Sequence, residues 1–414
     1  MNRIWLILFL VVIFIAIDYY VFQAITNITK NFSAAWKSGI RITYWVPTVF
    51  SMVALLWWAF DDPYRVSANV RNWMITGVFT VYFSKLFAVV FLFVDDIQRG
   101  TRWVVSYFSK DSSGGLPGTS IPRSEFLSKA AVIAASIPLG GFAYGIISGA
   151  HDYRIKRITL NLKNLPNSFD GIRIGQISDI HSGSFWDKTA VKGGVEMFMK
   201  EKPEVIFFTG DLVNNETREV KDYFDVFNKL RAPLGVFSIT GNHDYGDYKK
   251  WTTKEAKSQN FKDLIEAHRL LGYDLLLNEH RFIEQGGDKI AIIGIENWGT
   301  RFQKYGKMDL AYAGTEDAAA KLLLSHDPTH WDAQVRSQYP DIDATFAGHT
   351  HGFQFGVEIA GFKWSPVQYV YNQWAGLYKE GEQYLYVNRG FGYLGYPGRI
   401  GMPPELTIFE LKKG

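Results

Sequence analysis

The apolar residues of this chain fall into two patterns, long and uninterrupted at first, then short and separated by turns. Four apolar stretches, 5–23, 43–60, 73–95 and 129–149, carry almost no interior charge and place Trp and Tyr near their ends. Crossing a hydrocarbon layer of about 30 Å takes roughly 20 helical residues, so these lengths predict four transmembrane helices. Residues 1–150 are therefore expected to form an all-α membrane module. Two ionisable residues interrupt the apolar stretches. Asp18 is read as lying near a helix end and Lys85 as snorkelling to the interface, and neither is assigned a role. The polar, Gly-Ser-Pro-rich stretch 109–122 reads as a flexible loop between spans.

Beyond residue 150 the pattern changes period. Tyr153 to Leu162 alternates and predicts the entry strand of a second domain, 151–414. Strand-like runs then alternate with helix-like segments at 187–200 and 254–271, give way to closely spaced strands near 273–295, and end on Leu406–Leu411. Such an order predicts α/β layering. The 414 residues fit one membrane module and one globular domain of about 260 residues.

Charge adds a direction and removes some functions. A net charge of +3, with no basic run in the second domain, gives no reason to expect a nucleic-acid partner. The absence of cysteine excludes disulfides and thiol chemistry and leaves the compartment open. Lys30, Lys37 and Arg41 follow the first span, and Arg99, Arg102, Lys110, Arg123 and Lys129 lie between the third and fourth. The opposite side carries Arg3, Arg65 and Arg71, with Asp61 and Asp62 nearby. The positive-inside rule then makes the richer loops cytoplasmic and sets the second domain on the outer face, although Arg154, Lys156 and Arg157 pull the other way. The segment Pro122–Lys129 with the apolar run after it resembles a twin-arginine export signal in which Ser124 replaces one arginine.

Each of the apolar runs IRIGQIS, VIFFTG, GVFSITG, LLLS and DATFAG ends on residues able to bind metal. In order these are Asp179-Ile180-His181, Asp211, Asn242-His243-Asp244, His326 and His349-Thr350-His351. A loop leaving a strand is rigidly held yet exposed, which suits a reactive site. Mixed imidazole, carboxylate and amide donors suit Zn, Fe or Mn, whereas an all-oxygen set would suit Mg or Ca. Two such cations sharing one aspartate sit about 3.5–4 Å apart and activate a water between them. His151, His268, His280 and His330 fall outside the pattern and read as structural or simply exposed.

The same residues in the same order resemble the signature of the calcineurin-like metallophosphoesterases, over roughly residues 150–412, in a membrane-anchored bacterial branch. The resemblance implies a four-layer α/β/β/α sandwich of two mixed sheets, with metals at the carboxyl edges of the strands. It implies that Asp179, His181, Asp211 and His351 hold the first divalent ion and Asp211, Asn242, His326 and His349 the second. Asp211 would bridge them. His243 would contact the substrate phosphate or protonate the leaving oxygen, with Asp244 fixing its tautomer. Where family members often place an acidic residue after Gly210-Asp211, this chain has Leu212-Val213-Asn214-Asn215. The closing Gly-Pro-rich segment offers Arg389 and Arg399 as partners for phosphate oxygens.

Taken with the membrane module, the resemblance implies an integral protein of a bacterial plasma membrane that hydrolyses phosphoester or pyrophosphate bonds through a hydroxide shared by two metals. The phosphorylated substrate is open, and anchorage at a bilayer favours a lipid-linked one. Family members acting on UDP-diacylglucosamine are the natural comparison, which an outward-facing site weakens. The alternative is a membrane signalling or transport protein that uses the domain as a sensor or weak binding module.

Overall fold

Each apolar stretch lies inside a longer helix in the computed structural model, which describes residues 3–60, 68–108 and 122–414. The helices are α1 (Arg3–Ile28), α2 (Ala34–Phe60), α3 (Ala68–Phe108) and α4 (Glu125–Ile147), all long and apolar enough to cross a membrane. The loop expected at 109–122 lies, apart from Pro122, outside the described residues, as do Asp61, Asp62, Arg65 and Lys110 of the charge count. The 41 residues of α3 make a rod of about 60 Å at 1.5 Å per residue, roughly twice a hydrocarbon core. Its polar second half, with Asp95, Asp96, Arg99 and Arg102, carries the helix on past the apolar stretch. Val21 and Ala24 of α1, Ala88 and Leu92 of α3 and Ala131 of α4 pack together, small side chains letting the helices approach.

Two expectations for this unit are corrected. Asp18 sits well inside α1, fully buried, and Lys85 does not snorkel: its ammonium is in direct contact with the Asp18 carboxylate. Tyr82 Oη donates to the same carboxylate at 2.8 Å, and Lys85 Nζ also reaches Thr48 Oγ1 at 3.3 Å. A charge away from water persists when paired and hydrogen-bonded, and these partners supply that. Arg123, in the segment ahead of α4 as read, lies against α1 and α3, with its Nε 3.0 Å from Gln23 Oε1 and its guanidinium 3.4 Å from Asp95 and 3.1 Å from Asp96.

Gly145–Gly414 forms a second compact unit. Its first sheet has the order β1-β14-β2-β3-β4-β5, with strands at Arg154–Leu162, Glu405–Lys413, Arg173–Ile177, Val205–Phe208, Val236–Ser238 and Asp274–Leu275. Its second has the order β12-β13-β9-β8-β7-β6, at Gly376–Glu380, Gln383–Val387, Ala344–Ala347, Ala320–Leu324, Asp288–Gly294 and Glu279–Gln285. A separate antiparallel hairpin pairs β10 (Val357–Ile359) with β11 (Phe362–Trp364).

Alternation along each strand builds the layers. Phe207, Ile174 and Phe409 of the first sheet meet Ile290, Ile292, Leu322 and Phe346 of the second between the sheets. Ile206 and Phe208, one step out of phase, face α5 (Lys188–Lys200), α6 (Phe224–Phe227) and α7 (Lys254–Leu271) through Val195, Phe198, Phe227, Leu264 and Leu271. Ile293, Leu323 and Leu385 carry the other outer layer, against Met308, Ala311, Trp331 and Val335. The result is the expected α/β/β/α sandwich of two mixed sheets. Side-chain caps mark both helix starts foreseen in the sequence, Asp187 accepting from Ala190 N for α5 and Thr253 from Ala256 N for α7.

Candidate metal centre

In the first sheet β2, β3 and β4 are parallel neighbours, and in the second β8 and β9 are, so their carboxyl ends gather at shared edges. Out of those ends come Asp179 and His181 (after β2), Asp211 (β3), Asn242 to Asp244 (β4), His326 (β8) and His349 and His351 (β9). Backbone bonds lace the loops together: Asp179 N donates to Gly210 O at 2.9 Å, His181 N to Asp211 O at 3.1 Å and Gly348 N to His326 O at 2.9 Å. Five of these residues hold left-handed backbones, Asp179 (φ 51°), His181 (48°), Asp211 (58°), His349 (74°) and His351 (53°). Such conformations cost about 1–3 kcal/mol each in a non-glycine residue and persist where the surroundings over-determine them, which is typical of functional sites. A Cβ at Gly241 would press into the Asp211 carboxylate and the His326 ring, and one at Gly348 into Asp179, so glycine is required at both.

The ligand-type atoms form two adjoining groups, Asp179, His181 and His351 in one and Asp211, His326 and His349 in the other. His181 Nε2 faces His351 Nε2 at 3.0 Å, and Asp179 Oδ1 is 3.3 Å from His351 Nε2. Asp211 Oδ2 lies 3.2 Å from His326 Nε2 and 3.5 Å from His181 Nε2, so one carboxylate oxygen touches both groups. His349 Nδ1 is 3.3 Å from His326 Nε2. Asn242 Oδ1 is buried without a hydrogen-bond partner, while its Nδ2 donates to Tyr248 Oη at 2.8 Å. A buried amide oxygen left bare fits a cation, since an orphaned acceptor otherwise costs about 1–3 kcal/mol.

Partners on the far side of each ring set its orientation. Thr209 O accepts from His326 Nδ1 at 2.7 Å, and Tyr371 Oη lies 2.8 Å from His349 Nε2. The electrostatics favour positive charge. Burial works against an ionised Asp179, yet His351 and His326 hold its carboxyl below the usual range. Burial would likewise depress His326, but Asp211 and Asp179 push it up to about 10. Burial holds His181 and His349 below an ordinary imidazole, in the neutral form that binds metal.

His243 and Asp244 part company. His243 N donates to Asp211 Oδ1 at 2.9 Å, and its Nδ1 donates to the Asn214 carbonyl at 2.8 Å. That bond survives in either protonation state and leaves Nε2 to give or take a proton. Asp244 therefore does not fix the His243 tautomer as expected. Its carboxylate turns the opposite way and accepts from the backbone N–H groups of Gly241 (2.8 Å), Asp211 (2.9 Å) and Leu212 (2.9 Å), binding the β3 and β4 loops together. The Asn214 side chain, at the departure from the family pattern, pairs with Ser184 Oγ at 2.9 Å.

Neither arginine offers a free guanidinium to phosphate, which corrects the substrate role expected for them. Arg389 is buried with Glu358 at 2.6 Å and Glu405 at 3.5 Å. Arg399, fully buried, donates to the carbonyls of Gly392, Arg389, Gly390 and Met402 and lies 3.3 Å from His351 Nδ1. It is a strut behind a ligand-type histidine. The four histidines set aside in the sequence bond or pack elsewhere: His268 with Ser238, His330 with Ser325 and Gln334, His280 with the Ala311 carbonyl and His151 against Trp186. Missed in the sequence were Tyr248 and Tyr371, for which no local pattern exists, and a cavity of about 470 Å³ beside Asn242 whose walls include Tyr248, Asn297, Arg301 and Phe302.

Two family models match parts of the chain. Residues 2–150 match the family described as "Probable Calcineurin-like phosphoesterase, transmembrane domain", and residues 172–353 the one described as "Calcineurin-like phosphoesterase". The Bacillus subtilis (strain 168) protein named "Uncharacterized metallophosphoesterase YkuE" is 30% identical over 281 residues, 66% of this chain and 90% of that protein. A Danio rerio "Transmembrane protein with metallophosphoesterase domain" is 28% identical over 281 residues, 65% of this chain and only 60% of its own length. The solved NAD nucleotidase of Haemophilus influenzae is 14% identical, with a TM-score of 0.37 over 53% of this chain and 45% of that one, too remote to add weight. The Bacillus subtilis match spans nearly the whole of that relative, and with four long apolar helices ahead of residues 172–353 the chain belongs, as an integral membrane protein, to the calcineurin-like metallophosphoesterases.

Proposed function

We propose that this protein is a membrane-anchored hydrolase of phosphoester or pyrophosphate bonds, using two divalent cations held by Asp179, His181, Asp211, Asn242, His326, His349 and His351. The observation that carries this reading is the position of Asp211 Oδ2, 3.5 Å from His181 Nε2 and 3.2 Å from His326 Nε2, which gives both groups one carboxylate in common. Cations bound there would supply an activated water and neutralise charge on the phosphoryl oxygens. Mixed nitrogen and oxygen donors favour Mn, Zn or Fe. His243, turned by Asn214 O, presents Nε2 to the leaving oxygen and protonates it. Asp244 keeps the Asp211 and Asn242 loops in register, so the reacting atoms stay in line. Arg301, in the wall of the cavity beside Asn242, brings a cation to that part of the substrate which is not cleaved.

Anchorage favours a substrate that itself resides in the bilayer, because both partners are then concentrated on one surface. The lysine and arginine excess after the first and third spans supports an outer-face domain. Full-length protein purified with Mn or Zn is expected to hydrolyse aryl phosphate mono- or diesters, with Asp211→Asn slowing turnover by about a hundredfold or more. Undiminished turnover in that variant would overturn the shared-carboxylate reading. Incubation with total lipid extract then separates the substrate classes, by whether inorganic phosphate or a phosphorylated head group is released.

A further inference from the structure

The β10–β11 hairpin is built inside out. Its register pairs Val357 with Trp364, Glu358 with Lys363 and Ile359 with Phe362, so Val357, Ile359, Phe362 and Trp364 share one face and the charged pair occupies the other. The charged face is tied to the body of the unit: Glu358, its side chain 35% exposed, meets Arg389 at 2.6 Å, and Lys363 donates to Ala375 O and lies 4.6 Å over the Trp374 ring. The apolar face looks outward, with Ile359 68%, Phe362 63% and Val357 39% exposed. Water alone would select the reverse arrangement. The tip is stiff, because Ala360 (φ 49°) and Gly361 (φ 86°) form a two-residue turn with both backbones left-handed. Tyr369, 76% exposed on the segment after the hairpin, accepts from Trp364 Nε1 at 3.4 Å and extends the apolar surface.

We propose that this face is a membrane-seating surface, whose occupant is the interface of the bilayer that anchors the chain. Only residues 148–153 separate the fourth long apolar helix from β1, so the soluble unit is held within reach of a lipid surface. An apolar face with Trp, Tyr and Phe at its margins is the composition that settles at the head-group boundary. A patch of this kind on a soluble domain calls for a partner, and this chain brings its own.

The seating surface is wired to the metal centre at both ends. Five residues separate His349-Thr350-His351 from the hairpin, and Ser365 Oγ beyond it donates to Gly352 O at 2.9 Å. The short helical turn that continues from Ser365 leads to Tyr371, whose hydroxyl is 2.8 Å from His349 Nε2. Seating the hairpin would therefore fix the ligand-bearing loop at the lipid surface and favour phosphoesters carried there over those free in water. That consequence rests on the hydrolase reading, whereas the seating itself does not.

The test exploits the absence of cysteine from the chain. Ile359→Cys and Phe362→Cys are each labelled with an environment-sensitive fluorophore in full-length protein, reconstituted into phosphatidylcholine–phosphatidylglycerol vesicles containing nitroxide lipids. Asp317→Cys, whose side chain is 87% exposed, serves as the control. Seating at a depth of about 5–10 Å is expected to quench both hairpin labels about twofold and to leave the control unquenched. Absence of lipid quenching at both hairpin positions would overturn the proposal. So would a shielded label that is not quenched by lipid and becomes exposed when the protein is diluted, which would make the occupant a second copy of the chain. In the kinetic arm, Ile359→Asp/Phe362→Asp is expected to slow turnover of a vesicle-borne phosphoester about tenfold or more while sparing a soluble aryl phosphate. Loss of both activities would count against the hydrolase consequence and leave the fluorescence result standing.

Discussion

His181 and His351, 170 positions apart in the chain, point their Nε2 atoms at each other across 3.0 Å. Burial holds His181 neutral, and its Nδ1 has no hydrogen-bond partner. Both nitrogens are placed to serve one cation, which a neutral imidazole binds through its lone pair. Replacing either ring with alanine is therefore expected to weaken binding at the Asp179 group by more than about a hundredfold while leaving the His326 group able to load. Equilibrium dialysis against Mn with metal analysis of the retained protein checks this, and unchanged stoichiometry in both variants would remove the pair from the site.

The opposed directions of His243 and Asp244 separate a chemical role from a scaffolding one. His243→Gln is expected to lower kcat by about 10²–10⁴-fold with little effect on the melting temperature. Asp244→Asn turns an N–H₂ toward the Asp211, Leu212 or Gly241 N–H groups, so it is expected to lower both the melting temperature and metal affinity. A thermal melt and a kcat measurement on both variants distinguish the two, and the same profile for each would contradict the division.

Within the helices, Asp18→Asn alone leaves the Lys85 ammonium short of its counter-charge. That break is expected to destabilise the membrane unit by about 3 kcal/mol or more, with Asp18→Asn/Lys85→Met recovering most of the loss. Denaturant titration in detergent reads the difference. A double variant as unstable as the single one would mean that the pair is not the stabilising contact.

Acid should weaken the Gly145–Gly414 unit through its buried structural histidines. Burial pulls His268 down to about 3 and His330 to about 4, against about 6.5 when unfolded. The unfolded chain then binds protons that the folded one refuses. Stability is full above about pH 6.5 and falls as pH drops below it, by about 1.4 kcal/mol per unit for each such group. His268→Asn, which keeps an acceptor for Ser238 Oγ, is expected to flatten the stability profile between pH 6.5 and 5. An unchanged slope would show that His268 is not the proton-linked group.

Much of the fold was legible because apolar period and turn chemistry act locally. The α7 helix occupies 254–271 as read, and α5 begins at the Asp187 cap. The loops bearing Asp179, Asp211, Asn242, His326 and His349 were visible because each ends an apolar strand. Side-chain direction was not. Asp244 follows His243 in the chain, yet a tight turn sends the two side chains opposite ways, and nothing in the residue types announces it. The left-handed backbones at Asp179, His181 and Asp211 are imposed by loop-to-loop bonds, against local preference. Asp18 and Lys85 are 67 positions apart, so only helix packing could pair them. Arg399 sits in a Gly-Pro-rich loop that reads alike whether its guanidinium faces phosphate or five peptide carbonyls.

The central claim is that Asp211 joins two cation sites, and anomalous diffraction from full-length protein crystallised with Mn addresses it directly. Two peaks about 3.5–4 Å apart are expected, one beside Asp179, His181 and His351 and one beside Asn242, His326 and His349, with Asp211 between them. No peak there, or a single peak away from the Asp211 carboxylate, would contradict the account.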